Sequence, residues 1–176
     1  MKIEKCGIED AHIITIDKIS DDRGFFSRIM DKKQFEEAGL NFDIVQCNTS
    51  YSNFKGTMHG LHYQISTYAE EKIIRCTSGK IFDVMIDTRE NSKTFKKWSG
   101  VELTASNRKT LYVPKGCAHG FVTLEDNTEV FYQNTQVFNH EFERGIKWND
   151  PSFDIKWPIK PTIVSKKDNS WERFKE

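Results

Sequence analysis

The chain has 176 residues, enough for one domain (1–176) with a sizeable core, and 26 basic residues balance 26 acidic ones at a pI near 7.0. That balance excludes the basic excess of a general nucleic-acid binder, and runs such as Lys32-Lys33 and Lys96-Lys97 are short enough to be solvated surface. No apolar run approaches the roughly 20 residues of a membrane helix, and Met1 to Cys6 lacks the apolar stretch of a signal peptide, so a cytoplasmic protein is expected.

Taken in chain order, the sequence reads mostly as strands separated by turns. Ile13 to Ile16 is the first. A single helix is expected over 31–39, opened by Asp31 as N-cap and closed by Gly39. Val45 to Ser52 and Thr57 to Gln64 follow. Lys72 to Cys76 runs through Thr77-Ser78-Gly79 into Lys80 to Asp87, which predicts a hairpin. Trp98 to Leu103, Thr110 to Val113, a Pro114-Lys115-Gly116 turn, His119 to Leu124 and Glu129 to Phe138 complete the set. Strands at this spacing predict an antiparallel sandwich or barrel such as a jelly roll. Cys6, Cys47, Cys76 and Cys117 are widely spaced without a C-x-x-C pair, and read as buried thiols rather than disulfides or a zinc site.

Alternation assigns faces. In Ile81 to Asp87, Phe82, Val84 and Ile86 share one face, expected to pack against a sheet. Asp83 lies on the other with Ile81 and Met85, pointing into a cavity or standing at a rim.

The segment Gly56 to Gln64, GTMHGLHYQ, puts His59 and His62 three residues apart. Three chemistries are open. His59, His62 and His119 are numerous enough for a metal site. Positions 59 and 62 have opposite parity in a strand, however, so they would face opposite sides unless Gly60 kinks the chain. A histidine near its ordinary pKa of about 6.5 also suits a general base, given a carboxylate to fix its tautomer and a cation to steady the anion it makes. Asp83, Asp168, Lys72 and Tyr132 are candidate parts. The third reading is purely structural.

The order and spacing of several segments resemble the dTDP-4-dehydrorhamnose 3,5-epimerase family over nearly the whole chain. These are DDRGFFSR (21–28), QCNTSYS (46–52), GLHYQ (60–64), KIIRCTSGKIFDVMIDTRENSKTFKKW (72–98), VPKGCAHGF (113–121), ERGIKWNDPSFDIKWP (143–158) and SKKD (165–168). The resemblance implies an all-β, cupin-like jelly roll with few short helices. It also implies an isomerase that exchanges protons flanking a carbon-4 ketone on a nucleotide-linked 6-deoxysugar, with neither cofactor nor metal. By that resemblance His62 is the base, Asp168 its supporting carboxylate, Lys72 the cation at the enolate oxygen, Tyr132 the opposing acid and Asp83 a pocket aspartate. Arg23, Gln46, Asn48, His119 and Glu143 match nucleotide-contacting positions, Lys167 lines the pocket, and a homodimer is implied.

Three positions depart from the family pattern. His59 stands where arginine is usual, Arg28 where glutamate is usual, and Phe138 where a tyrosine often stacks. The loss of a bidentate fork and a charge reversal are expected to act on the nucleotide-binding side, with His59 on the opposite side of the strand or at the pocket rim. CDP- or GDP-linked sugars, inversion at one carbon only, and a catalytically silent sugar-nucleotide-binding module remain open.

Overall fold

A computed structural model describes residues 1–174. Two antiparallel sheets face each other. The first has the order β1 (Lys2–Lys5), β2 (His12–Thr15), β10 (Thr110–Val113), β7 (Lys72–Ser78), β12 (Thr128–Asn134), β5 (Gln46–Ser52). The second has the order β13 (Glu143–Gly145), β6 (Thr57–Gln64), β11 (Cys117–Thr123), β8 (Lys80–Asp87), β9 (Trp98–Thr104), with β14 (Ile163–Val164) pairing parallel to β6. A separate hairpin joins β3 (Ile19–Asp21) to β4 (Gly24–Phe26). The two helices are α1 (Lys32–Glu37) and α2 (Lys166–Ser170), and neither is long and apolar enough to cross a membrane. This is the expected jelly-roll architecture.

Three layers of burial hold it together. Between the sheets lie Ile74, Cys76, Leu111 and Val130 from the first and Ile81, Met85, Leu103 and Phe121 from the second. α1 covers the outer face of the first sheet, with Phe35 and Leu40 packed on Ile14, Ile73 and Tyr112. The C-terminal segment covers the outer face of the second, with Ile146 and Phe153 packed on Met58, Leu61, Val84 and Val122. Each fully buried side chain of this kind stabilises the fold by roughly 1.5–3 kcal/mol relative to exposure.

Local signals worked where the physics is local. Asp31 caps α1 by accepting from Gln34 N, and Gly39 follows the helix at φ +72°. Three expectations are corrected. Lys72 to Asp87 is not a hairpin: β7 and β8 belong to different sheets, and Gly79 turns the corner between them. The Phe82, Val84 and Ile86 face packs on the C-terminal segment rather than on a sheet; the Ile81, Asp83, Met85 face is the one between the sheets. The thiols of Cys76 and Cys117 are buried, but Cys47 is exposed on β5, and all four cysteines are free.

Candidate active site

β6 departs from regular alternation where the histidines lie. Against β11 its register runs His62↔His119 and then His59↔Phe121, so Gly60 and Leu61 together oppose the single residue Gly120. Gly60 has φ +98°, and a Cβ there would stand 2.6 Å from His119 O and 2.7 Å from Gly120 Cα. Only glycine fits. The extra residue cancels the parity argument: His59 and His62 come to the same face, between the sheets. His59 therefore does not stand on the opposite side of the strand.

That face opens into two adjoining hollows of about 350 and 250 Å³, which share His62, Lys72 and Tyr132. The outer hollow adds Gln46, Asn48, Phe138, Glu143 and Lys167, and the inner one Ser50, His59, His119 and Phe121.

The His62 ring is held from α2. Its Nε2 is 2.5 Å from Asp168 Oδ1. Asp168 is buried at 4% exposure at the start of α2, where Ser165 Oγ accepts from its backbone N–H. Burial pushes the Asp168 carboxyl up, but the hydrogen bond and charge of His62 and the bond from Ser165 outweigh it, so the group sits below its ordinary range. An ionised carboxylate only accepts, so His62 Nε2 carries the proton and donates, leaving the Nδ1 lone pair available as a base. Nδ1 lies 3.9 Å from Glu143 Oε1.

Lys72 Nζ donates to His62 O at 3.0 Å and pairs with Glu70 Oε1 at 3.1 Å. An ammonium has three N–H donors, so one remains for an oxygen in the cavity. Tyr132 lines both hollows, and burial raises its phenol above its usual pKa, so it is a protonated donor at neutral pH.

His119 lines the smaller hollow with His59 and not the larger one with Gln46 and Asn48. Its Nε2 lies 2.5 Å from Asp83 Oδ1. Asp83 is wholly buried and lines neither hollow; it holds His119 from beneath, so its role as a pocket aspartate is corrected to a supporting one. His59 stacks on Phe121 with ring centres 4.8 Å apart, and its Nε2 meets Ser52 Oγ at 2.9 Å. Burial lowers the His59 pKa, with Asp168 opposing and His62 reinforcing, which favours the neutral ring. The His59 departure thus stands in the hollow lined by His62, Lys72 and Tyr132 rather than beside Gln46, Asn48 and Lys167.

The outer hollow is built from short polar links. Gln46 Nε2 donates to Asn48 Oδ1 at 3.0 Å, and Phe138 N donates to Gln46 Oε1 at 3.0 Å. Phe138 lies beyond the end of β12, in a loop, with Lys167 Nζ 5.9 Å from its ring centre. Lys167 also bonds Glu143 at 2.6 Å.

Two expected residues are not at this cavity. Arg23 is on the β3–β4 hairpin, 90% exposed, and its guanidinium engages Asp21. Arg28 is exposed and pairs with Asp31 at the start of α1. Neither lines either hollow. Conversely, Ser50, Ser52, Glu70 and Phe121 were not anticipated; strand parity around a recognised bulge is the signal that finds Phe121 opposite His59. No group of three or more His, Cys, Asp or Glu side chains converges as a metal site among the described residues; each of the three cavity histidines directs a ring nitrogen to Ser52, Asp168 or Asp83.

Comparison with known proteins places this geometry. The family model described as dTDP-4-dehydrorhamnose 3,5-epimerase matches residues 5–176. The Shigella flexneri protein of that name is 42% identical over 175 residues, covering 99% of this chain and 96% of its own. The crystal structure of the Elizabethkingia anophelis dTDP-4-dehydrorhamnose 3,5-epimerase superposes with a TM-score of 0.95 at 40% identity, covering 99% of this chain and 96% of that one. A Legionella pneumophila dTDP-6-deoxy-D-glucose-3,5-epimerase, solved in complex with dTDP-4-keto-L-rhamnose, superposes at 0.90 with 36% identity, covering 98% and 92%. A match over almost every residue, with the site's histidine, lysine and tyrosine on one cavity and a buried aspartate bonded to the histidine, assigns this chain to the dTDP-4-dehydrorhamnose 3,5-epimerase family.

Proposed function

We propose that the chain inverts carbons 3 and 5 of a dTDP-linked 4-keto-6-deoxyhexose by proton transfer through an enolate. One observation carries the reading: His62, Lys72 and the Tyr132 phenol line both hollows of one cavity, and the buried Asp168 holds His62 through Nε2. A ketone at carbon 4 acidifies the hydrogens on its neighbours. His62 Nδ1 takes one of them, and the C–H electron pair moves into the ring to leave negative charge on the carbon-4 oxygen. The free N–H of Lys72 steadies that oxygen. Tyr132 O–H then delivers a proton to the opposite face of the same carbon. The phenolate regains a proton from solvent and the imidazolium releases one, so no electrons leave the sugar. Repetition at the second carbon completes the reaction.

The outer hollow, with Lys167, Gln46 and Asn48, suits the diphosphate and nucleoside, while the inner hollow, with His59 and His119, suits the sugar. We infer a homodimer as well. The β3–β4 hairpin exposes Ile19 at 72% and Phe26 at 66% beside Arg23, and a second copy would cover this apolar surface. In a dimer Arg23 is free to serve the neighbouring site, which its own chain's geometry denies it. Light scattering should give twice the chain mass, and Phe26→Asp should lower it toward one chain. Four free thiols fit a reducing cytoplasm, and the single domain over 1–176 is part of the same proposal.

The deciding experiment is proton NMR in deuterated water with a dTDP-4-keto-6-deoxyhexose. The wild type should incorporate deuterium at carbons 3 and 5 and yield the inverted product, and His62→Asn should do neither. Binding without any exchange by the wild type would make this a silent binding module. A panel including CDP- and GDP-linked substrates tests the nucleotide.

A further inference from the structure

The indole of Trp171 lies against the base without lining either hollow. It follows Asp168 by three residues, at the C-cap of α2. Its ring centre is 6.0 Å from that of His62, edge to face at 64°. It rests on Gly145, the residue paired with His62 across β13 and β6. A Cβ at position 145 would stand 2.1 Å from Trp171 Cε2, so glycine there makes room for the indole and nothing else. Lys167 Nζ is 6.0 Å from the same ring centre. The indole Nε1–H is closed to solvent and has no hydrogen-bond partner among the described residues. A ring seated so tightly, with its one polar atom unpaired, is placed for its shape rather than for a hydrogen bond.

We propose that Trp171 is a positioning residue for proton transfer: seated on Gly145, its indole walls the His62–Asp168 pair off from bulk water and fixes the plane of the imidazole. The inference rests on the reading of His62 as the base. Asp168 alone sets one point of the ring, through Nε2; a second contact is needed to stop the ring swinging about that bond. The indole supplies it, and closes the gap by which water would reach the carboxylate and compete for the Nε2 proton. Because α2 carries both Asp168 and Trp171, one short helix docks the carboxylate and the wall together.

The test uses Trp171→Phe, Trp171→Ala, Gly145→Ala and the Trp171→Ala/Gly145→Ala double variant, each assayed for kcat, KM and the pH profile of kcat/KM. Trp171→Phe retains a ring edge-on to His62 and should stay within a fewfold of wild type. Trp171→Ala and Gly145→Ala should each lower kcat by at least about tenfold with little change in KM, since small misplacements at a reacting group cost up to about 10²-fold. Both should shift the acid limb of the profile, which a merely structural role would not move. The double variant should be no worse than the more damaged single one, because both remove the same contact. Independently, the emission difference between wild type and Trp171→Phe should titrate with the midpoint of the acid limb and vanish in His62→Asn. Unshifted pH profiles, additive losses in the double variant, or emission flat across the limb would each overturn the proposal. Should Trp171→Ala fail to fold, Gly145→Ala and the emission titration still decide it. Exchange persisting in His62→Asn would instead overturn the base assignment.

Discussion

At Asp168 two opposing effects meet, and the outcome sets the chemistry of His62. Burial, the largest single effect, favours the neutral acid; the hydrogen bond and charge of His62 together with the bonds from Ser165 and Gly60 favour the carboxylate and win. The proton on Nε2 is thereby fixed, which leaves Nδ1 as the ring nitrogen able to accept one, the role proposed for it. Asp168→Asn keeps the shape, but its amide can donate to Nε2 and so favour the wrong tautomer. A fall in kcat of about 10³–10⁴ is expected, as for a histidine given the wrong tautomer elsewhere. Solvent deuterium exchange at carbons 3 and 5 measures it, and a loss under tenfold would refute the tautomer argument. Tyr132→Phe should spare proton removal and impair its return, so exchange should continue while the inverted product fails to accumulate. Residue chemistry alone left these side chains with three possible uses. The resemblance singles out His62, Lys72, Tyr132, Asp168 and Asp83; the first three line one cavity, while Asp168 and Asp83 are buried and bond the cavity histidines His62 and His119. Arg23 and Arg28 lie away from their own chain's cavity, on the β3–β4 hairpin and beside α1, a placement that residue type alone does not show.

The element that decides the site is the bulge in β6. Without the extra residue, regular alternation would put His59 and His62 on opposite faces; with it, both enter the cavity. Gly60→Ala adds a Cβ 2.6 Å from a backbone oxygen at φ +98°, and the flanking backbone must move. A stability loss of about 1–3 kcal/mol, the usual cost of such strain, should appear in urea unfolding. Activity should fall by about 10² or more as His62 leaves its place beside Asp168. A variant with altered stability and unchanged turnover would show that the bulge does not position the base. A sequence shows a glycine but not a register shift, because a bulge is a property of two strands and only one of them is being read. The same reason defeated the hairpin expectation at Gly79, where the two strands pair with β12 and β11 rather than with each other. Helix α1 was legible because its cap and its end are contacts between residues three or four apart.

Across the whole molecule, the stretch after β8 ties the second sheet to the N-terminal segment through one buried carboxylate. Asp87 has no exposed surface and accepts from Arg89 Nε and Nη2, both at 2.9 Å, from Ser92 Oγ at 2.5 Å and from Thr94 Oγ1 at 2.6 Å. Arg89 reaches on to Glu9 O at 2.7 Å and Asp10 at 3.1 Å. Burial pushes the Asp87 pKa up, but these donors together pull it down to about 2. The unfolded chain would hold that carboxyl near 3.9. A group whose folded pKa is depressed stabilises the fold above its unfolded pKa, and that contribution is lost as the pH falls through the folded value. Asp87 should therefore contribute about 2–3 kcal/mol at neutral pH, disappearing between about pH 5 and 2. Replacing it by asparagine removes the charge at every pH and leaves half-buried Arg89 only the exposed Asp10 carboxylate and the Glu9 carbonyl, at a cost of up to about 3–5 kcal/mol, the range for a broken buried pair. Urea midpoints at pH 7 and pH 3 separate the two contributions: the gap between wild type and Asp87→Asn should be wide at pH 7 and narrower at pH 3. An equal gap at both would mean that this carboxylate is not the acid-labile tie between the N-terminal segment and the sheet that carries His119.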